Sequence, residues 1–158
     1  MQSKRKYSFW FALKHFLRTF LLLFCWFAPA SFLRVFFHRL RGVKIGRSVE
    51  IGYFVIIDHL FPEWIEVSDG VVIGLGVKII AHDDLKDRKL RAAERKPRKV
   101  IIGHNVIIGF DAIVLPGVTI GSGTIVGAKS LINKSIPANK VVAGIPARIL
   151  QYNGKRPH

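Results

Sequence analysis

Among the side chains that could do acid–base chemistry in this chain, His82 has the most telling setting. It stands in Ile79-Ile80-Ala81-His82-Asp83, where an apolar pattern stops and a charged stretch begins. An imidazole titrates near neutrality, so it can take a proton from an attacking hydroxyl or amine. Taken alone, His82 could equally be a polar residue at the root of a loop. Asp58 and His59, upstream, are candidates for binding the hydroxyl or amine beside it, as is Asp83 next to it; the plain alternative is corner and loop residues. His104 follows Gly103 and reads as solvent-facing. The three histidines 59, 82 and 104 are far apart in sequence, and no metal site is expected of them. Cys25 is the single cysteine and lies in an apolar run. A disulfide framework and a cysteine-based zinc site are thereby excluded, and Cys25 is a poor nucleophile.

These residues hang on a repeat. Every sixth position from Ile102 is branched and apolar: Ile102, Ile108, Val114, Ile120, Val126, Ile132. Neither a helical period of 3.6 nor a strand period of 2 produces this. Six residues suit one short flat strand and a corner. Three such units make one coil of a triangular prism, so roughly eighteen residues form a turn of a solenoid. The register starts earlier, at Ile45, Ile51 and Ile57, a first coil. HLFPEWIE interrupts it at a corner, and Val67, Ile73 and Ile79 head a second coil. Asp58 and His59 thus fall one coil before His82. The register breaks at His82 for a charged excursion, residues 82–100, with one helical turn around Leu85–Glu94. Coils three and four start at Ile102 and Ile120. The closing VVAGIPARILQ predicts a strand, a turn and a short helix from Pro146 that caps the open end. Residues 151–158 read as a tail. The prediction is an all-β solenoid of about four coils.

Residues 1–42 differ in kind. No Asp or Glu occurs from Met1 to Val49, and the whole chain carries a formal net charge of +15. Such charge points to an anionic partner. Two basic, aromatic halves around Pro29 predict a helix–break–helix. The uncharged run from Thr19 to Leu33 is shorter than the ~20 residues of a bilayer span. The expectation is a segment lying in a membrane interface, with Lys and Arg facing anionic lipid. A signal peptide, a spanning helix and a helix pair packed on the solenoid are the rivals. Basic residues alternate here with large aliphatics at helical spacing and no recognition motif is visible, so nucleic acid is not an expected partner.

The pieces VIIGFDAIVLPGVTIGSGTIVGAKSLINKSIPANKVVAGIPARIL resemble the hexapeptide-repeat acyltransferases, in particular the sugar and xenobiotic O-acetyltransferase branch. The resemblance covers residues 43–150 and makes them the acyltransferase domain. It implies a left-handed parallel β-helix, a homotrimer with sites between neighbouring prisms, acetyl-CoA as donor and a histidine base. The base maps to His82, just before the excursion that returns through Val100–Val106. For coenzyme A it implies Ala128, a small residue beside the pantetheine. Asn133 and Lys134 take the place of a Thr-Lys pair, and Arg148 lies near the nucleotide phosphates. Ile107 replaces a tryptophan frequent in the family, and Phe110 is bulkier than expected. The leader resembles that of relatives serving surface-polysaccharide synthesis.

The function so implied is an acetyl-CoA-dependent O-acetyltransferase at the cytoplasmic face of a membrane. Its acceptor would be a sugar hydroxyl, on a lipid-linked or surface-polysaccharide precursor. An acyl-carrier-protein-dependent acyltransferase, a non-catalytic trimeric membrane scaffold and a carbonic-anhydrase-like zinc enzyme are the alternatives.

Overall fold

The computed structural model describes residues 9–82 and 96–150, with only the backbone of residues 9–11. Helix α1 runs over Phe9–Phe27 and α2 over Ser31–Leu40. Pro29 separates them because it has no N–H to continue the ladder, and Ala30 is extended at φ −110° and ψ 142°.

Among the described residues fourteen short strands follow: β1 (Lys44–Ile45), β2 (Glu50–Ile51), β3 (Ile56–Ile57), β4 (Ile65–Val67), β5 (Val72–Ile73), β6 (Lys78–Ile79), β7 (Val100–Ile102), β8 (Ile107–Ile108), β9 (Ile113–Val114), β10 (Thr119–Ile120), β11 (Ile125–Val126), β12 (Leu131–Ile132), β13 (Val141–Ala143) and β14 (Arg148–Ile149). They form three sheets, the faces of a prism. Sheet I stacks β1-β4-β7-β10 and sheet III stacks β3-β6-β9-β12. Sheet II stacks β2-β5-β8-β11-β13 and ends on β14. Every pairing is parallel except β13 with β14. Three strands in turn make one coil, and each sheet receives one strand from each of four coils. The repeat predicted from the sequence sets the register: Ile57 pairs with Ile79, Ile79 with Val114, and Ile102 with Ile120.

The repeated residues point inward and stack. Ile51, Ile57, Ile73, Ile79, Ile102, Ile108, Ile120 and Ile132 are all essentially inaccessible. Each such side chain contributes about 1.5–3 kcal/mol relative to an exposed one. The interruption between coils one and two is a 3-10 turn over Pro62–Trp64.

The closing segment differs from expectation. No helix starts at Pro146; Val141–Ala143 (β13) and Arg148–Ile149 form an antiparallel hairpin, pairing Val142 with Ile149. The branched residues Val141, Val142 and Ile149 favour extended backbone, and Gly144 at φ +104° reverses the chain. The hairpin places one more strand on the edge of sheet II. The helical turn expected around Leu85–Glu94, Asp83 and the tail lie outside the described residues.

The helix pair covers the other end, and here the expected orientation is corrected. Arg18, Arg34 and Arg41 do not face outward. Arg34 Nε donates to Ile51 O at 2.7 Å and Nη1 to Ala28 O at 2.6 Å, while its guanidinium stacks 4.1 Å from the Tyr53 ring centre. Trp26 Nε1 donates to Val55 O at 3.2 Å, and Ser31 Oγ accepts from Ile51 N at 2.9 Å. The reason is geometric. The first coil has no coil before it, so its backbone groups need partners from elsewhere. Lys14 and Arg39 stay exposed, as expected, beside a row of exposed aromatic side chains: Phe16, Phe20, Phe24, Phe27, Phe32 and Phe36.

Candidate active site

Asp58 follows β3 (Ile56–Ile57) at the corner between sheets III and I. Ala81 and His82 follow β6 (Lys78–Ile79) at the same corner, one coil on. Parallel stacking therefore brings them together. His82 Nδ1 lies 2.6 Å from Asp58 Oδ2, and both residues are buried, at 6% and 2% exposure. The carboxylate is fully engaged. Oδ1 accepts from Leu60 N at 2.9 Å and Phe61 N at 3.0 Å; Oδ2 also accepts from Ala81 N at 2.7 Å.

Burial works to raise the Asp58 pKa. The bond from His82 and the N–H groups of Phe61 and Ala81 outweigh it, so the carboxyl lies below its ordinary value. At neutral pH Asp58 is an anion and only accepts hydrogen bonds. Nδ1 of His82 must then carry the proton, which makes Nε2 the basic nitrogen. A carboxylate that fixes the tautomer and orientation of an imidazole is the arrangement a general base needs.

Aromatic rings pack around it. Phe61 and His59 lie 5.8 and 5.6 Å from the His82 ring, centre to centre. His59 in turn lies 5.5 Å from His15 of α1. Burial, with the neighbouring His82, His15 and Arg41, holds the His59 pKa below its usual value against the pull of Asp58. His59 is thus neutral at pH 7, an uncharged donor or acceptor beside the base.

The structure divides the residues expected at the site. Asp58 is not positioned as an acceptor contact; it is the buried partner of His82. His59 is half-buried at the rim. Asn133 and Lys134 follow β12 (Leu131–Ile132) at the same corner as His82, two coils on, and are exposed. Ala128 precedes β12 at the preceding corner, also exposed. The chain is close-packed there: a Cβ on Gly109 would come within 2.5 Å of Ala128 N. Arg148 is exposed on β14, on sheet II rather than on His82's corner. His104 is exposed at the corner between sheets I and II, on another edge from His82 and His59. Among the described residues no group of three His, Cys, Asp or Glu side chains could hold a metal ion. Cys25 is buried, and burial pushes its thiol up to about 11 against the opposing effect of Arg41, which leaves it unreactive.

Sequence reasoning missed the part played by Asp58 and the proximity of His15. The first had a signal, since the repeat already put Asp58 one coil from His82. The second had none, because a helix docked on the prism follows no repeat.

Residues 99–134 match the bacterial transferase hexapeptide family of six repeats. YvoF of Bacillus subtilis (strain 168), assigned as an acetyltransferase, is 37% identical over 108 residues, covering 68% of this chain and 59% of YvoF. WcaF of Escherichia coli (strain K12), assigned as an acetyltransferase of colanic acid biosynthesis, is 34% identical over 136 residues, covering 75% of this chain and 74% of WcaF. Among solved structures, a hexapeptide-repeat acetyltransferase of Vibrio cholerae O1 biovar eltor, complexed with acetyl coenzyme A, superimposes with a TM-score of 0.75. It is 24% identical, over 91% of this chain and 89% of that one, and shows the shared fold. The chain belongs to the hexapeptide-repeat acetyltransferase family. It spans between 28% and 59% of the length of four of the relatives it matches.

Proposed function

We propose that this chain is an acetyl-CoA-dependent O-acetyltransferase that acts on a sugar hydroxyl, with His82 as general base. The observation that carries the reading is the buried His82–Asp58 pair, at a corner of a β-helix whose relatives are acetyltransferases. His82 Nε2 takes the proton of the acceptor hydroxyl as its oxygen bonds to the thioester carbonyl carbon. The C–S bond then breaks, and the imidazolium returns the proton to the departing thiolate. No acyl-enzyme is required. Asp58 keeps Nδ1 protonated throughout and balances the imidazolium charge.

Ala128, Asn133, Lys134 and Arg148 are the residues we assign to the donor. Ala128 is small enough for a pantetheine chain to pass close to the backbone, and the exposed cations suit phosphates. His59, and Asp83 outside the described residues, would meet the acceptor. The family resemblance supports a homotrimer. WcaF's assignment to a surface polysaccharide supports a lipid-linked or polysaccharide acceptor.

We further propose peripheral attachment at the cytoplasmic face of a membrane; the outward face of the helix pair supports the attachment itself. Among the described residues it carries nine large exposed apolar side chains, from Phe16 at 65% exposure to Leu40 at 56%. An apolar cleft of about 380 Å³ opens between α1 and α2, lined by Leu23, Phe24, Phe27, Leu33 and Phe37 among others. Among the described residues no helix is long and apolar enough to cross a membrane. A face of this kind fits a lipid surface lying alongside it.

The decisive experiment is acetyl transfer from acetyl-CoA to soluble sugar acceptors by the purified chain, before and after His82→Ala. The expected loss is about 10²–10⁴-fold in turnover with the fold retained. Near-normal turnover by the variant rejects His82 as the base.

A further inference from the structure

Arg41, just past the end of α2, is 1% exposed. Its guanidinium donates through Nη2 to Ile57 O at 2.8 Å and to Asp58 O at 3.0 Å. Nε donates to Arg18 O at 3.0 Å, and Nη1 meets His38 Nδ1 at 3.0 Å. One buried cation thus ties both helices to the corner that carries Asp58. Neighbouring bonds act on the same stretch. Arg18 Nη1 donates to Leu60 O at 3.0 Å while Nη2 pairs with Glu63 at 2.9 Å. Trp26 holds Val55 O. The carbonyls of residues 55, 57, 58 and 60 are therefore all bound by side chains of the helix pair.

The chemistry explains why this matters to His82. Desolvating a guanidinium is costly, and its bonds to fixed carbonyls must offset that cost. Those bonds fix the backbone on both sides of the Asp58 Cα. The side chain of Asp58 in turn aims at Nδ1 of His82 with a 2.6 Å bond, a distance that tolerates little displacement. Shifting the corner by a fraction of an ångström would lengthen that bond and release the tautomer.

We propose that Arg41 is a positioning residue of the acetyl-transfer site, so that the helix pair is a structural part of the active site and not a detachable anchor. The proposal rests on the reading of His82 as base, and its test is built to separate the two. Nitrogen-labelled full-length protein is prepared as wild type, Arg41→Met and Arg41→Lys. The strongly downfield proton of the short His82–Asp58 bond is recorded without any substrate, and turnover is then measured with acetyl-CoA and a soluble sugar acceptor.

In folded Arg41→Met the resonance is expected to vanish or move. Turnover should fall by about 10–100-fold while KM for acetyl-CoA stays within about twofold. Arg41→Lys should recover part of both, because an ammonium lacks the fork that spans two carbonyls. A folded Arg41→Met with wild-type resonance and turnover overturns the proposal. If Arg41→Met yields no folded protein, Arg41→Lys decides: an unchanged resonance and turnover in it also overturn the proposal. If the wild type transfers no acetyl group, the function reading fails, and the resonance alone still decides whether Arg41 positions the pair.

Discussion

The two ends of this molecule are held together by different physics. From Val100 to Ile136 the prism is a stack of like on like. Ile102, Ile108, Ile120 and Ile132 are buried at 1% exposure or less, and each coil satisfies the backbone of the next. At the first coil there is no preceding coil. Long polar side chains reach across instead: Arg18, Trp26, Arg34 and Arg41 donate to carbonyls of residues 51 to 60. The stacked region is held by contact area, which is tolerant in chemistry and strict in volume. The junction is held by individual bonds to buried groups, which is strict in chemistry. The candidate site lies at the junction, where specific bonds can orient a base.

The largest expected effect tests the stacked region. Ile108 is 1% exposed on β8 (Ile107–Ile108), between coils two and four. Ile108→Ala removes buried methyl and methylene groups and leaves a cavity that flat, stacked coils cannot easily close. The expected loss is about 2–5 kcal/mol, read from urea denaturation. A loss below about 1 kcal/mol would mean that the coils relax, and the contrast with the junction would weaken.

A smaller, pH-dependent effect tests the junction. His38 is wholly buried, and burial together with the charge of Arg41 lowers its pKa to about 3. In the unfolded chain a histidine titrates near its ordinary value of about 6.5. Below that pH the unfolded state takes up a proton that the folded state refuses, so stability falls as pH drops from about 6.5 towards 3. At pH 5 the expected loss is about 2 kcal/mol. Asp58 does not confound this window. Its folded pKa is depressed, so its contribution is present above the unfolded carboxylate value and is lost only at lower pH. His59 acts in the same sense as His38, so the comparison is with His38→Gln, which keeps an acceptor for Arg41 and cannot titrate. Denaturation midpoints at pH 7 and pH 5 should lie closer together in that variant than in the wild type, the remaining gap being that of His59. An unchanged dependence would show that His38 does not control it.

The same division governs what the sequence reveals. The sixfold spacing of Ile and Val is periodic, so the coils, their register and the corner shared by Asp58 and His82 all follow from counting. Even the interruption at HLFPEWIE announces itself, because Pro62 and Trp64 break the count. The docking of the helix pair follows no period. Arg18, Arg34 and Arg41 have the same residue type and helical spacing whether they face lipid or a row of carbonyls, and charge alone favours the wrong reading. What decides is that the first coil presents unpaired backbone, a property of the assembled prism and not of the helices. The closing hairpin fails for a related reason. The Pro146 signal suits a helix start, yet the free edge of sheet II offers Val141, Val142 and Ile149 a ladder to join.

The smallest expected change in stability concerns the outward side of the same helices. Phe27 and Phe32 are 69% and 71% exposed, so Phe27→Ser and Phe32→Ser remove little contact within the chain. Each should alter stability by no more than about 0.5 kcal/mol. Phe27 does meet Phe54 edge-on at 6.1 Å, so its effect should be the larger of the two. Binding to vesicles should respond the other way. With anionic lipid in the vesicles, sedimentation of the wild type is expected, and the double variant should stay in the supernatant, since each lost ring removes apolar area that only lipid would bury. If the double variant instead loses as much stability as Ile108→Ala, the rings are buried against other copies of the chain. The outward face would then belong with the stacked region and not with a membrane.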